Sequence, residues 1–221
     1  STTLQQLEHL RSITEIRERL APRPLATVLV EDVAPSVTRI VMPAAGGVAG
    51  QSVNAYLVGS RDLVLVDPGD PTGPALERCL ALAADRGAAI RAIALTHVDP
   101  DHAAGAEALA GRLAIPVHVG PGGGRSLPYA TVELKDGTLL DAADVPLRAI
   151  ATPGPRPDHL AYVIGTGEAI LTGDLAGARG ARMIPGPADE GAWATSRARL
   201  DHLTGPVSLR LPGHGPPAAP R

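Results

Sequence analysis

Hydrophobic residues recur with two different periods along the chain, one helical and one extended. Between residues 4 and 20, leucine and isoleucine return every three or four positions, which places them on one face of a helix. From residue 25 the apolar residues come in short runs separated by proline, glycine or serine, as in LATVLVEDV, VTRIVMP, VNAYLVGS and DLVLVDPG. The pattern predicts an amphipathic helix over residues 1–24 and an antiparallel sheet that opens a single domain over residues 25–221.

The rest of the chain alternates between helical and extended patterns. A helix is predicted within residues 71–88, with proline at its start and glycine at its end. Further strands and helices follow, and the segment TVELKDGTLL predicts a hairpin that turns at Asp136 and Gly137. Because two strand-rich halves are each followed by helices, we expect an α/β fold in which two facing sheets lie between helices, a four-layer αββα sandwich.

Composition narrows the classes of function. A chain of 221 residues suits one domain, and its net charge of −3 with only 2% aromatic residues argues against a nucleic-acid partner. No run of eighteen apolar residues and no signal-peptide pattern occurs, so we expect a cytoplasmic protein without a membrane partner. The single cysteine, Cys79, excludes an internal disulfide. A homodimer through the helix at residues 1–24 is a hypothesis only.

The segment THVDPDH, residues 96–102, is the first candidate for chemistry. One interpretation is structural: Asp99 would cap a helix whose first residue is Pro100, with Asp101 in the first turn. The other interpretation is a metal site, because two histidines and two aspartates lie within six positions. The segment by itself leaves both interpretations open.

Two later segments favour the metal site. Asp174 ends the predicted strand AILTGD, and His214 lies in LPGHG after the last predicted strand. A metal with several protein ligands draws them from loops that follow different strands, and each of these segments is such a loop. Three such strand ends in one chain therefore indicate one shared site.

The segments VNAYLV, LVLVDPG, LTHVDPDHAAG, ATPGPRPDHLAYVI, AILTGD and LPGHG together resemble those of metallo-β-lactamase-fold hydrolases, most closely the glyoxalase II and lactamase-β-like branch. The resemblance covers about residues 25–217 and implies the αββα fold and two metal sites. It implies that the second site consists of the following four residues: Asp101, His102, Asp174 and His214. It also implies that Asp67, in VDPG, supports the motif loop rather than binding metal.

The chain departs from the family pattern at the first metal site. Asp99 stands where the family has histidine, and Pro155 stands where a further histidine follows TPG. His97 remains, with Asp99 as a candidate oxygen ligand and His159 as either a substitute ligand or a supporting residue. We therefore expect one firm metal, zinc in the first instance. Iron and manganese are alternatives, because a carboxylate ligand favours harder cations.

Two arginines lie in loops next to the expected site. Arg125, in GPGGGRS, is a candidate rim residue that would meet an anionic substrate. Arg156 borders the depleted first site. It is either a solvated arginine or a cation that partly replaces the missing metal in holding an anionic group.

These observations predict a metal-dependent hydrolase of a small ester, thioester, lactone or phosphoester. A bound metal would acidify a water molecule, with Asp99 as general base and His97 positioning the water. Two alternatives stay open: a non-catalytic ligand-binding or regulatory member of the fold, and a metal-dependent nuclease.

Overall fold

Two β-sheets form the centre of the computed structural model, which describes residues 28–43, 52–70, 73–141, 143–175, 189–204 and 208–218. The first sheet has seven strands in the order of the sequence. They are β1 (Val30–Ala34), β2 (Val37–Pro43), β3 (Ser52–Val58), β4 (Asp62–Val66), β5 (Ala89–Ala94), β6 (Val117–Val119) and β7 (Val132–Glu133). The helix predicted over residues 1–24 lies outside the described residues, so the boundary at residue 24 stays a prediction.

The pairing in the first sheet changes direction at β4. Strands β1 to β4 are antiparallel, as predicted, and the pairs from β4 to β7 are parallel. A parallel pair needs a crossover, and the helix α1 (Pro74–Asp85) provides it between β4 and β5. The helices α2 (Pro100–Ala103) and α3 (Ala106–Leu113) lie between β5 and β6, and a short 3₁₀ helix (Gly123–Ser126) precedes β7.

The second sheet has five strands in the order β12-β11-β10-β9-β8. They are β8 (Leu139–Leu140), β9 (Leu147–Ala151), β10 (Leu160–Ile164), β11 (Ala169–Gly173) and β12 (Leu209–Pro212). Its pairs are antiparallel except β11 with β12, and the helix α4 (Glu190–Thr204) lies between those two strands in the sequence.

The hairpin predicted within residues 131–140 is wrong. The two halves of this segment are strands, but β7 pairs with β6 in the first sheet and β8 pairs with β9 in the second. The turn at Asp136 and Gly137 carries the chain from one sheet to the other, with Gly137 at a φ of 79°. Alternating polarity and an Asp-Gly turn identify two strands, but they do not specify the neighbour with which each strand pairs.

Three clusters of buried side chains lie between four layers. The first joins α1 and α3 to the first sheet, the second fills the space between the sheets, and the third joins the second sheet to α4. Strand β4 shows the arrangement, since Leu63 and Leu65 belong to the first cluster and Val64 and Val66 to the second. The layers therefore follow the order αββα, and the predicted fold class is confirmed.

The short helix α2 begins directly after Asp99. The Asp99 carbonyl accepts hydrogen bonds from the backbone N–H groups of His102 and Ala103, both at 2.9 Å, so Asp99 occupies the N-cap position. Its carboxylate makes no capping hydrogen bond. The interpretation in which the Asp99 side chain caps the helix is therefore wrong, although the helix does begin at Pro100. Among the helices of the described ranges, none combines the length and apolar character needed to cross a membrane.

Candidate metal centre

Histidine and aspartate side chains from the loops after β5, β11 and β12 meet at one end of the two sheets. His102 Nε2 lies 3.4 Å from Asp174 Oδ1 and 3.3 Å from His214 Nε2. His214 Nε2 in turn lies 3.3 Å from Asp101 Oδ2. The structure thus brings together all four residues of the expected second site.

His97, a residue of the expected first site, lies next to these four residues. It forms a triad with His102 and Asp174, and a second triad consists of Asp101, His102 and His214; in each triad the candidate ligand atoms lie within 4.8 Å of one another. His97 Nε2 lies 3.4 Å from Asp99 Oδ2 and 3.8 Å from Asp174 Oδ2. We refer to His97, Asp101, His102, Asp174 and His214 as the ligand cluster.

Two buried side-chain atoms of the ligand cluster have no hydrogen-bond partner among the described residues. They are His97 Nε2 and Asp174 Oδ1. Leaving such a group unpaired costs about 1–3 kcal/mol, so buried polar atoms normally find partners. A metal ion in the cluster would satisfy the Asp174 oxygen, because carboxylate oxygen and imidazole nitrogen are ordinary ligands of zinc and iron.

The charges of the cluster favour ionised carboxylates. Burial raises the pKa of Asp174, but the neighbouring imidazoles of His102, His97 and His214 outweigh burial and hold that pKa below its usual value. The pKa of Asp101 is also lowered, since contacts with His214 and His102 outweigh its burial. Both carboxylates are therefore charged at neutral pH, the form in which they bind a cation.

Asp67 holds the motif loop and one of the histidines. Its carboxylate accepts hydrogen bonds from the backbone N–H and the hydroxyl of Thr96, each at 2.7 Å, and lies 2.9 Å from His102 Nδ1. The backbone of Asp67 itself has a φ of 52°, a left-handed conformation that aspartate adopts more readily than most residues. With Nδ1 engaged, His102 presents Nε2 to the cluster, which is how outer carboxylates orient metal-binding histidines.

His159 lies beneath the cluster and supports Asp174. Its Nδ1 is 2.8 Å from the Thr152 hydroxyl, and its Nε2 accepts a hydrogen bond of 3.1 Å from the backbone N–H of Asp174. Burial holds the pKa of His159 well below its usual value, so the ring is neutral and Nε2 can accept. Both ring nitrogens are thus engaged with supporting groups, which does not favour the use of His159 as a substitute ligand.

The loop that carries His214 is fixed by β3. Asn54 donates hydrogen bonds to the carbonyls of Pro212 and Gly215, at 2.8 and 2.7 Å, and His214 Nδ1 lies 2.6 Å from the Ser52 carbonyl. Gly213 leaves no room for a side chain, since a Cβ there would lie 2.7 Å from Asp174 Oδ1. Sequence reasoning missed Asn54, because its position inside an ordinary strand pattern gives no sign that its side chain holds the His214 loop.

An arginine lies beside the depleted first site. Arg156 Nη1 is 3.0 Å from Asp99 Oδ1, and its Nε is 3.4 Å from Asp158 Oδ1. The contact with His97 lowers the pKa of Asp99 most strongly, and Arg156 lowers it further. Asp158 was also missed by sequence reasoning; it is buried, and its other oxygen accepts the backbone N–H of Val98 at 3.1 Å.

Arg125 lies apart from these contacts. Its side chain is exposed on the 3₁₀ helix, and it makes no hydrogen bond or ion pair with the ligand cluster within the described part of the chain. The glycines of the same loop pack against the Arg156 loop instead, since a Cβ on Gly120 would lie 1.8 Å from the Asp158 carbonyl oxygen. A contact between Arg125 and a substrate stays a prediction.

The fold is a four-layer αββα sandwich, and its histidines and aspartates lie together where the strands end. These two features define a class of proteins that bind metal at one end of two facing sheets. The chain belongs to the metallo-beta-lactamase superfamily, whose family model matches residues 48–214. This establishes the family predicted from the motifs, whereas assignment to its glyoxalase II branch stays a prediction.

Relatives with curated descriptions include a thioesterase. The atrochrysone carboxyl ACP thioesterase of Aspergillus chevalieri is 29% identical over 199 residues, which cover 89% of this chain and 61% of that protein. The lactamase-like protein aptB of Emericella nidulans is 28% identical over 192 residues, or 85% of this chain and 59% of that protein. The chain thus spans about three fifths of the length of these two relatives.

Solved structures show the same fold. The crystal structure of TTHA1623 in a di-iron-bound form is 30% identical with a TM-score of 0.64, and the match covers 78% of this chain and 92% of that one. A beta-lactamase domain protein from Burkholderia ambifaria matches with a TM-score of 0.71 at 20% identity, over 90% of this chain and 74% of that one. The second likeness concerns the fold alone.

Proposed function

We propose that the chain is a metal-dependent hydrolase of a small thioester or a related ester, lactone or phosphoester. One metal would be held by Asp101, His102, Asp174 and His214. The observation that carries the proposal is the buried Asp174 Oδ1, which has no hydrogen-bond partner in the described ranges and lies 3.4 and 3.6 Å from the Nε2 atoms of His102 and His214.

Zinc is the proposed metal, with iron and manganese as alternatives. Two imidazoles and two carboxylates suit zinc, and the two carboxylate oxygens also suit iron or manganese. The di-iron-bound form of TTHA1623 supports the iron alternative. The proposal of a single metal rests on Asp99 and Pro155, which replace the two histidines of the family pattern.

When bound, the metal would supply Lewis acidity, which makes a water molecule more acidic and polarises the scissile carbonyl or phosphoryl group. Asp99 would receive the proton of that water, since its carboxylate is ionised and lies at the cluster with 29% of its side chain exposed. The lowered pKa of Asp99 makes it a weak base, so it is effective only toward a strongly acidified water. His97, 3.4 Å from Asp99, would position the water.

Among the substrate classes, the relatives favour a thioester. The Aspergillus chevalieri relative is a thioesterase, and the matched region includes most of this chain. A small-molecule substrate, rather than a nucleic acid or a membrane, agrees with the net charge of −3. A cytoplasmic location and a homodimer through residues 1–24 belong to the same proposal.

Metal content and hydrolysis, measured on the same preparation, test this function. We expect about one equivalent of zinc, iron or manganese by plasma mass spectrometry, and turnover of acyl thioesters within a panel that includes esters, lactones and phosphodiesters. Asp174→Ala should lose both the metal and the turnover. Glu77→Ala, which removes an exposed carboxylate from α1, should keep both.

Two outcomes would contradict parts of the proposal. A protein that binds no metal even after reconstitution and hydrolyses nothing in the panel would be the non-catalytic member of the fold. Undiminished turnover in Asp99→Ala would exclude Asp99 as the base while leaving the metal site in place.

A further inference from the structure

The loop between β9 and β10 holds Arg156 in a fixed position next to the ligand cluster. The loop is anchored to α4, because Ser196 Oγ donates a 2.6 Å hydrogen bond to the Pro153 carbonyl. Gly154, at a φ of 143°, packs so closely that a Cβ there would lie 2.4 Å from Trp193 Cα. The backbone is thus held just before Pro155, and the Arg156 carbonyl accepts a 3.2 Å hydrogen bond from the backbone N–H of His159. From this position the partly exposed guanidinium reaches Asp99.

Arg156 contacts one carboxylate oxygen of Asp99 and one of Asp158. Within the described residues, no other cationic side chain forms an ion pair with either of these two oxygens. Nη1 lies 3.0 Å from Asp99 Oδ1, and Nε lies 3.4 Å from Asp158 Oδ1. Asp158 is buried, and a buried carboxylate requires a positive partner or several hydrogen-bond donors. A guanidinium stays charged at every physiological pH, so this positive charge is permanent.

The position of this charge bears on the first metal site. A metal at that site would use His97 Nε2, Asp99 and Asp174, since these are the donors that remain there. Asp99 Oδ2 faces His97 at 3.4 Å while its other oxygen is paired with Arg156, so such a metal would share a carboxylate with a resident cation. A divalent ion bound to this carboxylate would lie close to the Arg156 guanidinium, and the two positive charges would repel each other.

We propose that Arg156 is a built-in cation of the first metal site, which neutralises Asp99 and Asp158 and restricts the centre to one metal ion. The inference rests on the proposed metal-dependent function and assigns a residue that sets the metal stoichiometry. Loss of the two family histidines weakens the first site, and Arg156 keeps the remaining donors from recruiting a second divalent ion.

Manganese titration tests this inference directly, because two Mn²⁺ ions that share a carboxylate give an exchange-coupled electron paramagnetic resonance spectrum. In the wild-type protein at saturating Mn²⁺, we expect one equivalent by native mass spectrometry and an uncoupled spectrum. Arg156→Met should bind a second equivalent at least about tenfold more tightly than the wild type does and should give the coupled spectrum. Zinc titration by calorimetry should show the same change in stoichiometry.

Two matched variants separate charge from shape. Arg156→Lys keeps the positive charge and should remain limited to one metal. Arg125→Met removes an exposed arginine from the neighbouring 3₁₀ helix and should leave the metal stoichiometry as it is in the wild type. Circular dichroism and the unfolding midpoint establish that each variant is folded before its metal content is compared.

The outcomes distinguish this inference from the proposed function. If Arg156→Met gains no affinity for a second ion, Arg156 does not set the stoichiometry, and the proposed function is unaffected. If the wild type binds two Mn²⁺ tightly, this inference fails together with the proposal of a single metal, whereas the proposed hydrolysis still stands. If the wild type and all variants bind no metal, the proposed function and this inference both fail. A second ion in Arg156→Met, absent in Arg156→Lys and Arg125→Met, is the result that supports it.

Discussion

Asp67 Oδ2 lies 2.9 Å from His102 Nδ1, and the same carboxylate accepts two hydrogen bonds from Thr96 at the start of the motif loop. The Asp67 side chain thus joins the end of β4 to the loop after β5, and the residue is only 1% exposed. Burial lowers the pKa of His102, but Asp67 and Asp174 outweigh it and raise that pKa well above its usual value. Asp67 therefore increases the basicity of His102 as well as fixing its orientation.

Asp67→Asn should weaken metal binding by about 10–100-fold, because the amide retains the shape of the carboxylate and loses its charge. Asparagine also tolerates the left-handed backbone at this position, so the fold should be kept. Competition with a chelator of known affinity measures the change. Asp62→Asn, at the start of β4, the strand that precedes Asp67, is the matched control and should bind metal as the wild type does. Equal metal affinity in the two variants would show that the charge of Asp67 does not affect the metal site and that Asp67 only holds the backbone of the motif loop.

Gly213→Ala should disrupt the ligand cluster. A Cβ at this position would lie 2.7 Å from both Asp174 Oδ1 and His102 Cε1, closer than real Cβ contacts, so the loop or the ligands must move. We expect a loss of metal together with a lower unfolding midpoint. Gly111→Ala in α3 is the control, since its Cβ would meet no atom within 4 Å. Because alanine has higher helix propensity than glycine, that change should stabilise the protein by about 0.5–1 kcal/mol. A Gly213→Ala protein with normal metal content would mean that the loop after β12 can shift without displacing the metal ligands.

Much of the fold follows from local patterns in the sequence. Strand β2 has the bounds of the apolar run VTRIVMP, and the continuous apolar character of DLVLV reflects burial of both faces of β4. The pairing of β7 and β8 with different sheets did not follow, because strand partners depend on contacts between distant segments. Local patterns specify elements, and tertiary packing selects their neighbours.

The candidate site shows the same division. The spacing in THVDPDH and the glycines around Asp174 and His214 indicated the residues that the structure gathers. The direction of the Asp99 side chain could not be predicted, since the capping pattern is satisfied by the backbone alone while the carboxylate turns to Arg156. Asp158 was missed because its partner Val98 lies sixty positions away in the chain. Such long-range contacts leave no local signal.

Cys79 should be inaccessible to thiol reagents in the folded protein. Its side chain is completely buried in the cluster between α1 and the first sheet. This burial raises the pKa of the thiol to about 12. Since the thiolate is the reactive form, labelling should require unfolding. A reagent that reports free thiols should detect one per chain in denaturant, and under native conditions only at the rate of global or local opening. Rapid labelling of the native protein would contradict the packing of α1.

His118 should make the protein less stable at mildly acidic pH. The side chain lies on β6, burial lowers its pKa, and its Nδ1 is buried without a hydrogen-bond partner in the described ranges. The unfolded state takes up a proton at an ordinary pKa of about 6.5, whereas the folded state does so only at lower pH. The contribution of His118 to stability is therefore fully present above about pH 6.5 and declines as pH falls through that value toward the folded pKa.

Urea unfolding at about pH 5 and about pH 8 measures this contribution as the difference between two free energies of unfolding. His118→Gln keeps a polar side chain of similar length and cannot titrate, so its difference between the two pH values should be smaller than that of the wild type. His202→Gln, on the exposed last turn of α4, is the matched control and should keep the wild-type difference. If the His118 variant retains the full pH dependence, the acid sensitivity arises elsewhere, and His118 is protonated as easily in the folded state as in the unfolded one.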